Sequence, residues 1–450
     1  MNASFETYFE NLRGKTVAVL GLGVSNRPLV RLLLEYGCIV SGGDRTDREK
    51  LDDEVLELEK LGCKLYLGEH FYEGMTAQVA FRTPGMHPDS PAVTALRNDG
   101  AEITSEMEAF FQVCPCDIIA VTGSDGKTTT TTLISEMLKA EGKTVWLGGN
   151  IGTPLLPLAR QMKQEDVAVV ELSSFQLMDM KHSPRVAVIT NLAPNHLDVH
   201  KDMDEYVEAK KNIYRFQDEN GVLVVNGDNA LTAPLQGNGS TKTFSRLGQG
   251  SVHLKDGVIC RGDDRVLDAK DILIPGVHNI ENYMAAILAV GGMVSDDTVR
   301  RVAQTFGGVE HRIELVRIKD GVRFYNDSIA SSPSRTIAGL RSFEEKVILI
   351  AGGYDKHIPY DVLGPEICAH VKKLFLGGAT GPLIREAVEN CPGDQPEIVD
   401  CGDFTAAVHA AATAAQPGDV VLMSPASAAF DQFKNFMVRG AYFKKLVMEL

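Results

Sequence analysis

The sequence predicts an α/β protein built from three successive parallel-sheet domains. Three observations carry that expectation. Short apolar, β-branched runs alternate with amphipathic helical stretches along the whole chain, the pattern of repeated strand–helix–strand units. Two of these runs end in glycine-bracketed turns that open straight into helices. The chain has 450 residues, more than one compact core holds, so two or three domains are required.

The first domain is expected over residues 1–105. TVAVLGLG, SNRPLVRLLLEYG and CIVSGGD read as strand, glycine turn, helix and strand. The turn Gly21-Leu22-Gly23-Val24-Ser25-Asn26 resembles a Rossmann fingerprint, but Asn26 stands where the third glycine would allow close helix–strand packing. Asp44 ends the second strand, where such folds place an acid that contacts a ribose; a plain strand-end turn is the other reading. Arg82-Thr83-Pro84-Gly85 follows a third strand and reads as a turn able to line a ligand.

The central domain, 106–308, opens on DIIAVTGSDGKTTTTTLISEML. Ile118 to Val121 form a strand. Gly123, Ser124, Asp125 and Gly126 form a loop, and Lys127, Thr128 and Thr129 begin a helix. Free N–H groups at a helix start attract anions, and glycines let the backbone come close. Lys127 can reach terminal phosphates, and the Thr128 hydroxyl can hold Mg2+. The pattern is G-x-x-G-K-T, shorter than the Walker motif, whose first glycine is replaced here by Val121.

Three more polar segments end apolar strands in this domain: Gly148 to Gly152 with Asn150, Glu171-Leu172-Ser173-Ser174-Phe175-Gln176, and Asn195-His196-Leu197-Asp198. Parallel sheets place their sites at that edge. Glu171 and His196 are candidate Mg2+ ligands; a helix-start acid and a loop histidine are the alternatives. His196-x-Asp198-x-His200 has a zinc-like look, but oxygen-ligated Mg2+ suits a phosphate loop better. Lys210 and Lys211, in the helix 203–216, read from the pattern as solvated. Residues 241–275 read as short antiparallel strands, and His278 to Asn282 open an alanine-rich helix. The third domain, 309–450, repeats the α/β alternation and ends in a helical tail.

Composition narrows the function. Lys and Arg total 45 against 60 Asp and Glu, a net charge of −15, which argues against generic nucleic-acid binding. No apolar run reaches the ~20 residues of a membrane span, and the N-terminus lacks a signal-peptide pattern. The eight cysteines show no framework spacing. A cytoplasmic protein with free thiols is expected.

Taken in order, GSDGKTT, GGNIG, ELSSFQL, NHLD, HNIEN, EHR, NDS and SPASAAFDQFKNF–RG resemble the Mur ligases over the full length, and the last stretch is similar to the D-glutamate-adding branch. The resemblance implies a Rossmann-like N-terminal domain, a P-loop-type central domain with a small antiparallel part, and a Rossmann-like C-terminal domain. It implies that ATP phosphorylates the carboxylate of UDP-N-acetylmuramoyl-L-alanine, that D-glutamate attacks the acyl phosphate, and that amide, ADP and phosphate result.

Site roles follow by position. The resemblance places ATP on Gly123 to Thr129, Asn282, Arg312 and Asp327. It places Mg2+, one ion or two, on Thr128, Glu171, His196 and a carbamylated Lys210, with Lys211 as the fallback. Lys127, Glu171, His196 and Lys210 form the catalytic set. The UDP-sugar falls on Val24, Ser25, Asn26, Asp44, Arg45, Thr46, Thr83, Asn150, Ser173 and Gln176, and D-glutamate on Lys356, Ser331 and Phe436. A monomer acting on small molecules is implied, without nucleic acid or membrane insertion. Two positions depart from the family: Ile329 where a lysine is frequent, and Ala429 where a serine is. Both bear on the amino-acid specificity, and Arg335, Ser427 or Lys434 could compensate. A folylpolyglutamate-type ligase, an NAD-dependent oxidoreductase using residues 16–44, and a non-catalytic nucleotide-binding module are the competing readings. The glycine-turn domain at the N-terminus argues against the first; the second leaves Lys127 and its loop without a task, and the third does not need Glu171, His196 and Lys210 together.

Overall fold

The computed structural model describes residues 4–195 and 199–450. Among these, the strands form three sheets. The chain divides into two compact units. One holds residues up to Ala269 together with Glu281–Val302; the other holds Lys270–Ile280 and Ala303–Leu450.

The first sheet contains β1 (Thr16–Leu20), β2 (Ile39–Asp44), β3 (Lys64–Leu67), β4 (Val79–Arg82) and β5 (Glu102–Thr104), all parallel, in the order β3-β2-β1-β4-β5. β1 and β4 are buried along nearly their whole length, as parallel strands covered on both faces must be. The order reverses beside β1, so its carboxyl end, at Gly21, faces the crevice where such sheets take ligands.

The second sheet has nine strands: β6 (Asp117–Thr122), β7 (Val145–Gly149), β8 (Val167–Glu171), β9 (Val186–Ile189), β10 (Val222–Asn226), β11 (Ser240–Ser245), β12 (Val252–Lys255), β13 (Val258–Arg261) and β14 (Asp264–Asp268). β6 lies between β8 and β9, a second switch point, and the phosphate loop follows it. β11 runs parallel to β10, and β12 parallel to β11; only β12, β13 and β14 pair antiparallel. The antiparallel part is therefore smaller than residues 241–275 suggest.

One core runs through both sheets of this unit, from Phe9, Leu29, Leu33 and Phe81 through Phe110 to Ala120, Val170 and Ile189. Arg82 strengthens the join. Its side chain is fully buried, and its guanidinium pairs with Asp179 (3.2 Å to Nε) and donates to the Met86 and Phe175 carbonyls (2.6 and 3.1 Å). Two carboxylate oxygens and several carbonyls satisfy the fork, as a buried cation requires.

The second unit carries β15 (Glu314–Lys319), β16 (Val322–Asn326), β17 (Val347–Ala351), β18 (Val371–Gly377), β19 (Glu397–Gly402) and β20 (Val420–Met423), ordered β15-β16-β20-β17-β18-β19. β15 is antiparallel to β16 and the rest are parallel. The edge strands β15 and β19 carry little buried apolar surface, which is why the sequence pattern passes over them. No helix among the described residues is long and apolar enough to cross a membrane.

Candidate active site

The phosphate loop is shaped by its glycines. Gly126 has φ 77° and caps the helix Lys127–Ala140; a Cβ there would strike Asn282 Oδ1. Gly123 has φ 151°, and a Cβ there would strike Thr190 Oγ1. Only glycine fits this cradle at both places. Within the threonine run, Thr131 and Thr132 donate back to the Lys127 and Thr128 carbonyls, each at 2.8 Å, so their hydroxyls find partners inside the helix. Thr128 and Thr129 are half-buried on the first turn, and the Asp125 side of the loop is exposed. Asp125 N donates to Asn191 Oδ1 (3.0 Å), and Asn282 Oδ1 accepts from Thr130 (3.2 Å).

Two lysines converge on this loop. Lys127 Nζ donates to the carbonyls of Gly123 (3.0 Å) and Ser124 (2.8 Å). Lys210 Nζ donates to the same Gly123 carbonyl (2.8 Å) and to Thr122 Oγ1 (3.1 Å). Lys210 is only 1% exposed. Burial, then the charge of Lys127, pushes its amine well below the ordinary lysine range. The solvated reading thus fails for Lys210 and holds for Lys211, which pairs with Glu208 at the surface (2.7 Å). Lys210 shares a helix face with Tyr206, Ala209 and Ile213, all buried, and that spacing was a readable signal.

Glu171 ends β8 on the same edge and is buried. Its Oε1 accepts from Asn150 Nδ2 (2.7 Å); its Oε2 has no partner among the described residues. A buried carboxylate oxygen left unpaired is costly. Glu171 stands opposite Val121 in the β6–β8 pairing, so this oxygen lies at the strand end from which the glycine loop departs, and a carboxylate oxygen there suits a hard cation. His196 lies outside the described residues. Ser173 and Gln176 form a capping box at the helix Ser174–Leu177. Each backbone N–H is bonded by the other's side chain, at 2.9 and 3.3 Å, so both have a structural task in this state.

The first sheet holds a cavity of about 210 Å3 lined by Gly21, Asp44, Arg45, Phe71, Thr83, Gly85 and Met86. Three expected residues, Asp44, Arg45 and Thr83, meet here. Asp44 accepts from Leu22 N (2.8 Å) and Thr46 N (2.9 Å). Asn26 is buried, and its amide donates to the Gly21 carbonyl (2.8 Å). Val24, highly exposed, and Ser25 are on the turn and are not among the residues that line the cavity.

In the second unit, Asp327 follows β16 and is buried. It accepts from Ser424 Oγ (2.7 Å) and Ile313 N (3.3 Å), and burial pushes its pKa up to about 7. Arg312 stands between His311 and Ile313, both at positive φ (65° and 44°), a strained stretch of backbone. His311 packs edge-on against Phe436 (6.0 Å), whose carbonyl accepts from Ser328 (2.8 Å). Ser331 is half-buried beside Ile329, whereas Lys356 is exposed on the loop after β17. At the two departures, Arg335 donates to the Ile329 carbonyl (3.3 Å), and Ala429 is buried at the start of a turn. Ser427 is occupied by Tyr360 (2.8 Å) and Thr380 (2.7 Å).

Arg439 was missed as an individual residue. Only 1% exposed, it donates to Ser328 Oγ (3.0 Å) and to the carbonyls of Ser328, Ser427 and Ala428 (2.9 to 3.1 Å), joining two of the quoted motifs. Burial lowers its pKa to about 10. Tyr206, on the face of Lys210, was also missed.

Comparison with known proteins agrees with this architecture. Residues 121–290 match the Mur ligase middle domain, and residues 311–427 the Mur ligase glutamate ligase domain. The chain is 50% identical, over 99% of both chains, to UDP-N-acetylmuramoylalanine–D-glutamate ligase of Acetivibrio thermocellus. It is 48% identical over the whole of both chains to the enzyme of that name in Ruminiclostridium cellulolyticum. Among solved structures, UDP-N-acetylmuramate-alanine ligase MurC of Thermotoga maritima matches with TM-score 0.58 at 18% identity, covering 97% of this chain and 99% of that one. MurF ligase of Thermotoga maritima, solved with ADP, matches with TM-score 0.53 at 18% identity, covering 98% and 97%. At such identities these two likenesses concern the fold. With relatives this similar along its whole length, the chain belongs to the Mur ligase family.

Proposed function

We propose that this chain is an ATP-dependent ligase that joins D-glutamate to UDP-N-acetylmuramoyl-L-alanine through an acyl phosphate. The observation that carries it is the meeting of Lys127 and Lys210 on one carbonyl of a glycine cradle, with a carboxylate oxygen of Glu171 that has no partner among the described residues in the same parallel-sheet edge. A carboxylate resists amines until one of its oxygens becomes a leaving group, and bringing two anions together requires charge neutralisation and positioning.

Lys127 is assigned to the β- and γ-phosphates, supported by its reach across the loop. Thr128, Glu171 and Lys210 would hold Mg2+, with His196 assigned by resemblance alone. Bound there, the ion would supply Lewis-acid stabilisation of phosphoryl charge. The depressed basicity of Lys210 supports carbamylation, because only a neutral amine captures carbon dioxide. Asn150 would fix Glu171. Asp44, Arg45 and Thr83 would take the uridine diphosphate end in the 210 Å3 cavity, with Val24, Ser25, Asn26 and Thr46 beside it. Ser173 and Gln176 would meet the muramoyl part, which requires them to leave or share their capping box. Asn282, Arg312 and Asp327 are assigned to nucleotide, and Lys356, Ser331 and Phe436 to D-glutamate. Arg335, held at the Ile329 carbonyl, supplies a cation where a family lysine is missing.

The test is a coupled phosphate assay with a panel of amino acids. Phosphate should appear only when ATP, UDP-N-acetylmuramoyl-L-alanine and D-glutamate are all present. Equal release with L-alanine or L-lysine would overturn the acceptor assignment.

A further inference from the structure

We propose that Tyr206 is a positioning residue for the phosphate loop, gripping it through Ser124 by its hydroxyl and through Lys210 by its ring. This rests on the reading that the loop takes ATP.

Ser124 Oγ makes three contacts, each at 2.9 Å. It donates to the Ala193 carbonyl, accepts from Ala193 N, and meets Tyr206 OH. A serine hydroxyl has one proton and two acceptor sites. With its proton on the Ala193 carbonyl, the Tyr206 hydroxyl must be the donor. The three bonds saturate the oxygen and tie together the loop, the segment after β9 and the helix Met203–Arg215. Ser124 is 5% exposed and Tyr206 1%, so water does not replace a lost bond at no cost.

The other end of Tyr206 serves Lys210. The two stand four residues apart on one helix face. The ring lies 4.8 Å from Lys210 Nζ, which in turn donates to the Gly123 carbonyl. The ring itself is fixed edge-on by His200 (5.2 Å), which stacks on Phe175 (5.3 Å, 9°) and meets Ser174 Oγ at 2.9 Å. One side chain therefore contacts consecutive loop residues by two routes: Ser124 directly, and Gly123 by way of the amine. Packing alone needs the ring; only the loop needs the hydroxyl.

The experiment compares full-length wild type, Tyr206→Phe, Ser124→Ala, the double variant and Tyr206→Leu. It measures the Kd for a magnesium–imido analogue of ATP by calorimetry, KM and kcat in the phosphate assay, and Tm. Tyr206→Phe keeps the ring and loses one buried hydrogen bond, so its Tm should fall by only a few degrees while Kd and the KM for ATP rise about 5- to 20-fold, with kcat within about threefold. Ser124→Ala removes that same bond and the two to Ala193 as well, so its penalty should be at least as large, and the double variant should be no worse than Ser124→Ala alone, because the tyrosine hydroxyl then has no serine left to hold. Tyr206→Leu should also lower kcat by about tenfold or more through Lys210. Unchanged affinity in Tyr206→Phe, or penalties that multiply in the double variant, would overturn the proposal while leaving the nucleotide assignment intact. A wild-type chain that does not bind the analogue would overturn both.

Discussion

Two strand–glycine turn–helix segments stand in the same compact unit, and their difference is instructive. At the first, after β1, protein groups close the turn on itself. The Asp44 carboxylate takes Leu22 N, the Asn26 amide takes the Gly21 carbonyl, and Arg27 donates to the Leu22 carbonyl (2.9 Å) while pairing with Asp52 and Glu54. At the second, after β6, two lysines donate to one carbonyl, and a carboxylate oxygen with no partner among the described residues lies in the same sheet edge. Glycines make both backbones approachable. The side chains around each turn decide which of them presents a cation, here Lys127, to an anionic ligand. The carboxylate seated on Leu22 N occupies one N–H of the first turn and leaves the adjoining cavity, lined by Arg45 and Thr83, for a ligand.

The largest expected effect is at the second turn. Lys127→Ala should lower turnover by about a thousandfold or more in the phosphate assay, since charge neutralisation in the transition state is lost. The thermal midpoint should barely move, because Lys127 is half exposed. Activity within tenfold of wild type would erase the contrast between the turns. Asp44→Asn probes the first turn. It keeps the shape but replaces one acceptor oxygen with a donor, against either Leu22 N or Thr46 N. The KM for the UDP-sugar should rise about tenfold while the KM for ATP stays within about twofold. A matched rise in both would mean that the two turns do not act separately.

The smallest effect on turnover concerns Glu106, between the two turns in the chain. It is buried, accepts from Leu156 N (3.0 Å), and burial raises its pKa to about 7. In the folded protein it therefore keeps a proton that the unfolded chain, with a pKa near 4.3, has released. Stability from this group is full below the unfolded value, falls as pH rises towards 7, and is level above it. Glu106→Gln removes that slope. Between pH 5 and 8 the wild type should lose on the order of 3 kcal/mol relative to the variant in denaturant melts. Parallel curves would show that the carboxyl ionises freely inside the join between the sheets.

Much of this was legible in sequence because it is local. The strand Asp117–Thr122, the two glycines and Lys127 stand in consecutive positions, and an apolar run that stops at a glycine can be read without knowing what packs on it. Lys210 was harder. Its neighbours in sequence are charged, and only the spacing to Tyr206 and Ile213 marks its buried face. β15 and β19 were passed over because edge strands are half-exposed and need no apolar run. Arg82 reads in sequence as the start of a turn, yet it ends β4 and is buried, because its partner is Asp179, 97 residues away.

The sequence by itself determined the α/β class, the order of the motifs and the phosphate loop, because hydrophobic period and glycine placement act over a few residues. Only the tertiary structure decided which lysine is buried, which hydroxyl holds Ser124, and which turn is closed by its own carboxylate. Those outcomes depend on groups far apart in the chain, brought within hydrogen-bond distance where water is excluded and an unpaired polar atom is expensive.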